Sequence, residues 1–279
     1  MIYASTSCLK NPPDIIRVLY EYEKAGIENV ELGSVHKYFE TKQIKKFNFN
    51  FLIHNYFPPP KIPFNFNLAS TNNEIREKSY NLAIQAIDLC ADIESPLYTF
   101  HAGFTVDPPE LGEAFPKENI TDRKKAISIF IQEVMKVVDH GTSRGIKTAM
   151  EPNVVQKFNL VNNKNELSLF AEFPEIEELF QSLNETKLGL LLDLGHTIVT
   201  SHWLNFDKDK FVEKCRNKVF AIHVSNNNGL QDQHKSLTKE CWQSSKLKEF
   251  RNVPITLETM NLTVEGIKEN IKLVEEIID

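Results

Sequence analysis

Residues 188–196 read LGLLLDLGH, an apolar run that ends on Asp193 and is followed three residues later by His196. A short apolar run of this kind is typical of a strand in a buried parallel sheet. If the chain then turns tightly through Gly195, the Asp193 and His196 side chains point to the same side of the sheet. This stretch therefore predicts a strand, Gly189–Asp193, with titratable groups at its carboxyl end.

The same pattern recurs along the chain, where short apolar runs alternate with longer amphipathic stretches. Such alternation is typical of parallel strands joined by crossover helices. The predicted strands are Ile2–Ser7, Asn29–Gly33, Phe51–Tyr56, Leu97–Ala102, Lys147–Glu151, Gly189–Asp193, Val219–Val224 and Pro254–Glu258. The predicted helices are Pro13–Ala25, Val35–Phe47 (the least regular), Asn73–Ala91, Asp122–Ser143, Glu166–Leu183, Lys208–Arg216, Ser244–Phe250 and Val264–Ile278. Eight strands in 279 residues without a linker predict one domain, 1–279, that is a single (β/α)8 TIM barrel.

Composition and charge exclude several classes of protein. Hydrophobic residues make up 41% of the chain, enough for a large core, and the net charge of −6 argues against a general binder of phosphate backbones. The four cysteines contain no CxxC pair, so neither a disulfide scaffold nor a thiolate zinc site is predicted. The N-terminal MIYASTSCLK is unlike a signal peptide, and no apolar run reaches the roughly 18 residues of a membrane helix. We therefore expect a cytoplasmic protein without membrane spans.

Titratable side chains gather at the ends of the predicted strands and in the loop after the seventh. They are His54, His101, Glu151, Asp193, His196, His223, Asp232, His234 and Glu258. A lone histidine at a strand end is most often a hydrogen-bonded structural residue, but charges packed together at one barrel mouth would cost on the order of several kcal/mol each. A divalent cation would neutralise them, and imidazole with carboxylate is the ligand set of zinc, manganese or iron. We therefore predict a metal site, and we interpret the other histidines as surface residues: His36, His140 and His202.

Seven segments together carry a family resemblance. They are VELGS (30–34), FLIHNYFPPP (51–60), FHAGF (100–104), MEPN (150–153), LLLDLGH (190–196), IHVSNNNGLQDQH (222–234) and LETM (257–260). From the second strand to the eighth, and most closely in the last four, the chain resembles the xylose-isomerase-like barrel superfamily. That superfamily includes sugar and sugar-phosphate isomerases and epimerases, and also zinc-dependent abasic-site endonucleases.

The two branches of this superfamily imply different roles for the strand-end residues. The isomerase and epimerase branch implies one metal held by Glu151, Asp193, His223 and Glu258, with the two glutamates also exchanging protons with the substrate carbon. The endonuclease branch implies a three-zinc cluster, for which it adds His54, His101, His196, Asp232 and His234. A site with several metals suits phosphodiester hydrolysis.

The favoured interpretation is a divalent-metal-dependent isomerase or epimerase of a small sugar or sugar phosphate, with Glu151 and Glu258 as acid/base groups. The alternative is a zinc-dependent phosphodiesterase that resembles the abasic-site endonucleases and has nucleic acid as its partner. A barrel of different chemistry, such as a dehydratase or a protein that only binds metal, also stays open. In each case we expect a divalent cofactor, zinc or manganese, with one to three ions per chain.

Several departures from the family patterns favour the isomerase over the endonuclease. The loop after His54, NYFPPPKIPFNFN, lacks an obvious basic or intercalating patch of the kind that kinks DNA. Asn226 stands where an acidic residue often follows the strand-seven histidine, and the chain is acidic overall.

Phe57, Phe104 and Trp203 follow strand ends, where they would either wall the site against water or pack loops onto the barrel rim.

Overall fold

The barrel is closed and its strands all run parallel. The computed structural model describes residues 1–10, 14–34, 36–108, 114–183 and 187–279. Each strand pairs with the next in chain order, and the last pairs with the first. The strands are β1 (Ile2–Ser5), β2 (Asn29–Leu32), β3 (Asn50–His54), β4 (Leu97–His101), β5 (Lys147–Glu151), β6 (Leu188–Asp193), β7 (Val219–Val224) and β8 (Ile255–Leu257). The predicted (β/α)8 fold is confirmed, and the strand bounds differ from the prediction by at most two residues.

Helices surround the barrel and connect its strands, except that β2 and β3 are joined through a 3-10 segment in place of the predicted helix. They are α1 (Ile15–Lys24), α2 (Asn73–Asp92), α3 (Arg123–Ser143), α4 (Phe173–Ser182), α5 (Leu194–Leu204), α6 (Lys208–Cys215), α7 (Trp242–Lys246) and α8 (Val264–Ile278). Short 3-10 turns occupy Thr41–Lys46, Lys157–Asn159, Arg216–Lys218 and Leu247–Phe250. Pro13 and Val35, where two predicted helices start, lie outside the described residues. Among the described residues, no helix is both long enough and apolar enough to cross a membrane.

The region after β5 was predicted wrongly as a helix from Glu166. Arg123, at the start of α3, donates hydrogen bonds to the backbone carbonyls of Asn165 and Ser168 and pairs with Glu175. These contacts hold residues 165–172 as a turn, so α4 begins only at Phe173, with a proline in its first turn. The start of α4 is therefore set by contacts with an arginine far away in the sequence. Local periodicity cannot predict such contacts.

The expected tight turn through Gly195 is also wrong, because helix α5 begins directly after Asp193. The Asp193 carboxylate accepts a hydrogen bond from the backbone N–H of His196 at 2.7 Å, which is a helix N-cap. A Cβ on Gly195 would lie 2.9 Å from the Ser225 hydroxyl, so only glycine fits where α5 passes the end of β7. Asp193 and His196 still face the same side, now as the cap and first turn of a helix.

The interior of the barrel has two layers along the strands. The lower layer is a separate apolar cluster formed by Tyr3, Leu52, Leu97, Ala149, Leu191 and Ala221. Successive inward-facing residues are two apart on a strand. The next inward positions toward the barrel mouth on β3, β5, β6 and β7 form the upper layer, which consists of His54, Glu151, Asp193 and His223, all buried. The larger apolar core lies between the strands and the helices.

Candidate metal centre

All nine predicted ligand residues meet at the carboxyl ends of the strands. Four overlapping groups bring potential ligand atoms within 4.8 Å of one another, and they are His54–Glu151–His223, Glu151–Asp193–His196, His196–Asp232–His234 and Asp193–His223–Glu258. The ninth residue, His101, lies with its Nδ1 3.4 Å from Glu151 Oε2. The cluster therefore joins residues from six strand ends with the loop after β7 and the first turn of α5.

Glu151 lies at the centre of the cluster. Its Oε2 is 3.5 Å from His54 Nε2 and its Oε1 is 3.0 Å from His196 Nδ1. The carboxylate is fully buried, yet within the described part of the chain neither oxygen accepts a hydrogen bond of normal geometry. A buried carboxylate surrounded by imidazole nitrogens without hydrogen bonds is what a cation site requires.

Asp232 and His234 are brought to the cluster by the loop after β7. Asn226 and Lys235 pair through two backbone hydrogen bonds of 2.8 Å, which close the loop into a hairpin. Inside it, Asp232 Oδ2 lies 3.0 Å from His234 Nε2 and 3.3 Å from His196 Nε2. The departure at Asn226 therefore leaves both predicted loop ligands in place.

Contacts behind the imidazoles determine which ring nitrogen faces the cluster. His54 Nδ1 is 2.9 Å from the Thr99 hydroxyl, so its Nε2 is the atom turned toward Glu151. His234 Nδ1 is 2.9 Å from the backbone carbonyl of Glu258. Because a carbonyl can only accept, the proton of a neutral His234 ring is on Nδ1, and the Nε2 lone pair then faces the cluster. Such outer partners are typical of histidines that bind metal.

Glu31 on β2 is a buried member of the site that the sequence prediction missed. Its carboxylate is 1% exposed and contacts His223 Nε2 at 2.9 Å through Oε1. The signal was an acidic residue between Val30 and Leu32, two residues that belong to the core. A charge in the middle of a buried strand is costly without a partner, so it marks a site even where it does not end the strand.

The cluster displaces pKa values in both directions. Burial lowers the pKa of His101 to about 4 and raises that of Asp193 to about 6. Burial also disfavours the charged form of Glu151, but His101 and His196 outweigh it and lower its pKa to about 2. Carboxylates and imidazoles thus shift one another's pKa values at close range. Clusters of such displaced pKa values are typical of functional sites, and a bound cation would balance the buried carboxylates.

The donor set fits divalent metal ions. Within the described residues, buried atoms without a hydrogen-bond partner include Asp193 Oδ2, Asp232 Oδ1, His196 Nδ1 and His223 Nδ1, besides both Glu151 oxygens. These atoms are carboxylate oxygens and imidazole nitrogens, the ligands preferred by zinc and other first-row metals. All of them belong to the four groups described above.

Two connected cavities open from the cluster toward solvent. The first, about 280 Å³, is bounded by cluster residues together with Ser7, Ser34, Asn55 and Met260. The second, about 500 Å³, shares Ser34, Asn55, His101 and Val154 with the first. Its described walls carry amide and aromatic side chains and no Asp, Glu, Lys or Arg. The metal site therefore adjoins a neutral pocket large enough for a small organic group.

The other sequence predictions at this face have mixed outcomes. Phe104 lines the larger cavity, whereas Phe57 is buried in the core and Trp203 donates a hydrogen bond to the Leu230 carbonyl. His202 is exposed on α5, as predicted. The prediction for His36 is wrong, because its side chain is buried and burial lowers its pKa to about 4. His140 is partly buried, with Nε2 2.9 Å from Asp88, and lies away from the cluster.

The loop after His54 was expected to lack an obvious basic or intercalating patch, but it carries a basic residue and an exposed apolar one. Lys61 and Ile62 occur within it, and Ile62 is 79% exposed. The Lys61 ammonium lies 5.0 Å from the centre of the Tyr38 ring, on the neighbouring loop after β2. The barrel mouth thus presents a cation and an apolar side chain next to each other.

Comparisons with known proteins agree with this fold. The sequence matches the family model described as a xylose isomerase-like TIM barrel over residues 26–277. Apurinic-apyrimidinic endonuclease 1 of Plasmodium falciparum is 28% identical over 263 residues, which cover 87% of this chain but 38% of that protein. The chain therefore spans about two fifths of the length of this relative.

Solved structures give the same architecture at low sequence identity. A D-tagatose 3-epimerase-like protein has a TM-score of 0.75 at 16% identity, covering 99% of this chain and 96% of that one. An AP endonuclease of family 2 from Brucella melitensis has a TM-score of 0.65 at 15% identity, covering 97% of this chain and 98% of that one. At such identities the likeness shows the fold alone. With the family match, it establishes that this chain belongs to the xylose isomerase-like TIM barrel family.

Proposed function

We propose that this protein is a zinc-dependent phosphodiesterase that cleaves the nucleic-acid backbone at abasic sites. The observation that carries the proposal is the sharing of ligands between the four groups of the cluster. Glu151, Asp193, His196 and His223 each belong to two of these groups. Sharing of this kind suits several ions held side by side, whereas a single ion would leave part of the set buried without a partner.

The chemistry of several ions matches phosphodiester hydrolysis. When bound, such ions activate water and stabilise the charge on the oxygens that attack and leave the phosphorus atom. Glu151 holds the centre of the site with oxygens that accept no hydrogen bond from the described residues. With its pKa near 4, His101 is neutral at physiological pH and offers a lone pair without first losing a proton.

The rim of the barrel mouth carries exposed apolar side chains and a lysine. Ile62 and Phe158 are 79% and 62% exposed on the loops after β3 and β5, and Tyr38 and Leu230 are exposed on the loops after β2 and β7. Lys61 lies over Tyr38. Apolar side chains beside lysines suit a ligand that has both stacked bases and phosphates.

The sequence relatives support the same direction. The Plasmodium protein named apurinic-apyrimidinic endonuclease 1 is matched across 87% of this chain. The net charge of −6 is spread over the whole molecule, and it leaves room for a local contact with phosphates through rim lysines and the metal centre. Zinc is the proposed metal because it accompanies the endonuclease chemistry proposed here and because imidazole and carboxylate, which form the cluster, are among its ligands.

A single-metal isomerase or epimerase is the second candidate. The observation in its favour is that Asp193, His223 and Glu258 form one group on their own, with Glu151 in an adjoining group. This is the four-residue set that the resemblance to the isomerase branch implies. If this candidate is correct, Asp232 and His234 do not bind the metal and only hold the four-residue set in place.

Substituting Asp232 separates the two candidates, because Asp232 belongs to the endonuclease set alone. In Asp232→Asn we expect one fewer zinc per chain by elemental analysis and a loss of nicking of abasic-site DNA of roughly 100-fold or more. Asp139→Asn is the matched control, since Asp139 is an exposed acid on α3 paired with Lys187. It should keep wild-type zinc content and nicking. One metal per wild-type chain, with ketose epimerisation but no nicking, would overturn the proposal in favour of the second candidate.

A further inference from the structure

Glu31 is a buried acid placed across the barrel from the metal ligand that it contacts. It lies on β2, where it is in register with Ser5 on β1 and Leu52 on β3. His223 lies on β7, in register with Asp193 on one side and Thr256 on the other. The Glu31 side chain therefore crosses the interior of the barrel to reach the ring from below the cluster.

The contacts of the Glu31 carboxylate are specific. Its Oε2 accepts a hydrogen bond from His223 Nε2 at 3.0 Å and another from the Thr256 hydroxyl at 3.1 Å. Its Oε1 lies 2.9 Å from the same His223 nitrogen. An ionised carboxylate can only accept, so the proton of a neutral His223 ring is on Nε2. The lone pair is then on Nδ1.

His223 Nδ1 is the atom that faces the metal ligands. It lies 3.4 Å from Glu258 Oε2, and within the described residues it is buried without a hydrogen-bond partner. His54 and His234 have the opposite arrangement, because their Nδ1 atoms contact Thr99 and a backbone carbonyl and their Nε2 atoms face the cluster. His223 is distinguished from both by an acidic partner behind the ring.

We propose that Glu31 is a positioning residue that fixes His223 as an Nδ1 ligand of the metal centre. The inference rests on the metal centre of the proposed function, but it does not depend on which substrate is cleaved. A carboxylate behind the imidazole fixes its tautomer and makes it a stronger base than a hydroxyl or carbonyl partner would. Thr256 holds the carboxylate in place through its second contact.

The test compares zinc binding in three variants by competition with a chelator. Glu31→Gln keeps the shape and one acceptor oxygen but loses the charge, and Glu31→Ala removes both. We expect zinc to be held at the His223 site roughly 10-fold more weakly in the first and roughly 100-fold in the second. Glu133→Gln is the control, because Glu133 is a buried carboxylate of α3 that pairs with Lys136 and Arg76 away from the cluster. It should bind zinc as the wild type does.

A spectroscopic readout separates positioning from a merely structural ion pair. Nitrogen-15 NMR of the histidine rings in the zinc-loaded wild type should show His223 protonated on Nε2 and bound through Nδ1. In folded Glu31→Gln the same ring should show a changed tautomer balance or exchange broadening. Wild-type zinc affinity in both Glu31 variants, or a wild-type ring protonated on Nδ1, would overturn the inference while leaving the proposed function standing. A wild-type protein that binds no zinc would overturn both.

Discussion

The two layers inside the barrel share strands β3, β5, β6 and β7 but differ in the chemistry of their side chains. On four strands an apolar side chain of the lower layer lies two positions before a titratable one of the upper layer. The pairs are Leu52 and His54 on β3, Ala149 and Glu151 on β5, Leu191 and Asp193 on β6, and Ala221 and His223 on β7. The lower layer needs only to be covered, because each fully buried large apolar side chain stabilises the fold by about 1.5–3 kcal/mol. The upper layer is equally buried, but it consists of groups whose burial is unfavourable without charge partners.

The apolar layer that stabilises the barrel therefore lies below the layer that carries the candidate functional groups. The lower layer closes the barrel floor without any imidazole or carboxylate. In the upper layer burial raises the pKa of Asp193 to about 6, while neighbouring histidines lower that of Glu151 to about 2 against the effect of burial. We therefore expect the upper layer to depend on metal and the lower layer to be indifferent to it.

Among the changes that test the difference between the two layers, removal of metal should change the free energy of unfolding most. Dialysis against a strong chelator should lower the free energy of unfolding by about 4 kcal/mol for each ion held at a free zinc concentration 1,000 times its dissociation constant. The physical reason is that zinc held by the proposed site would bind the folded cluster and leave the unfolded chain almost unbound. Denaturant unfolding with and without restored zinc measures the change. Identical unfolding curves in both conditions would show that the upper layer is stable without a cation.

A cavity in the lower layer should have a smaller effect that is independent of metal. Leu97 lies four residues before His101 on β4 and is buried in the lower cluster. We expect Leu97→Ala to lower the free energy of unfolding by about 2–5 kcal/mol, equally with and without zinc. Met135→Ala, at an exposed position on α3, serves as the control and should change little. A zinc-dependent effect of Leu97→Ala would mean that the two layers are coupled.

The sequence predicted the fold, and the meeting of nine candidate ligand residues at one barrel mouth, for one reason. Each central strand is a short apolar run that ends on an imidazole or carboxylate, so LGLLLD and FLIH mark both the strand and its functional end. In a closed parallel barrel the carboxyl ends meet at one mouth, and this brings residues from distant segments together. Local pattern and global geometry therefore gave the same answer at these positions.

The features that were missed depend on contacts between distant segments. Helix α5 was not predicted because residues 194–197 and 199–201 are all buried, and a helix without an exposed face lacks amphipathic periodicity. The start of α4, at Phe173, depends on Arg123, which lies 50 residues earlier in the chain. Glu31 was passed over because it lies in the middle of its strand, and only the closed barrel shows that it meets His223.

The last prediction concerns His234 in the loop after β7, where protons would compete with metal for the ring. Burial disfavours the charged form of His234, but its hydrogen bond to Asp232 and the charge of Glu258 outweigh burial and raise its pKa to about 9. His234 must lose this proton before it can bind a metal, so a fall in pH below 9 favours the metal-free site. Because the pKa of His196 in the same group is also raised well above its usual value, zinc affinity at this site should fall by at least about tenfold for each pH unit between pH 9 and pH 7.

Chelator-buffered zinc titrations at several pH values measure this slope. His234→Asn removes the group that takes up the proton, so its residual zinc affinity should depend less steeply on pH over the same interval. His140→Asn is the matched control, because His140 contacts Asp88 on α2 and lies outside the cluster. It should keep the wild-type slope. A wild-type affinity that does not change between pH 7 and pH 9 would mean that His234 is already neutral there, and that Asp232 and Glu258 hold no proton on it for zinc to displace.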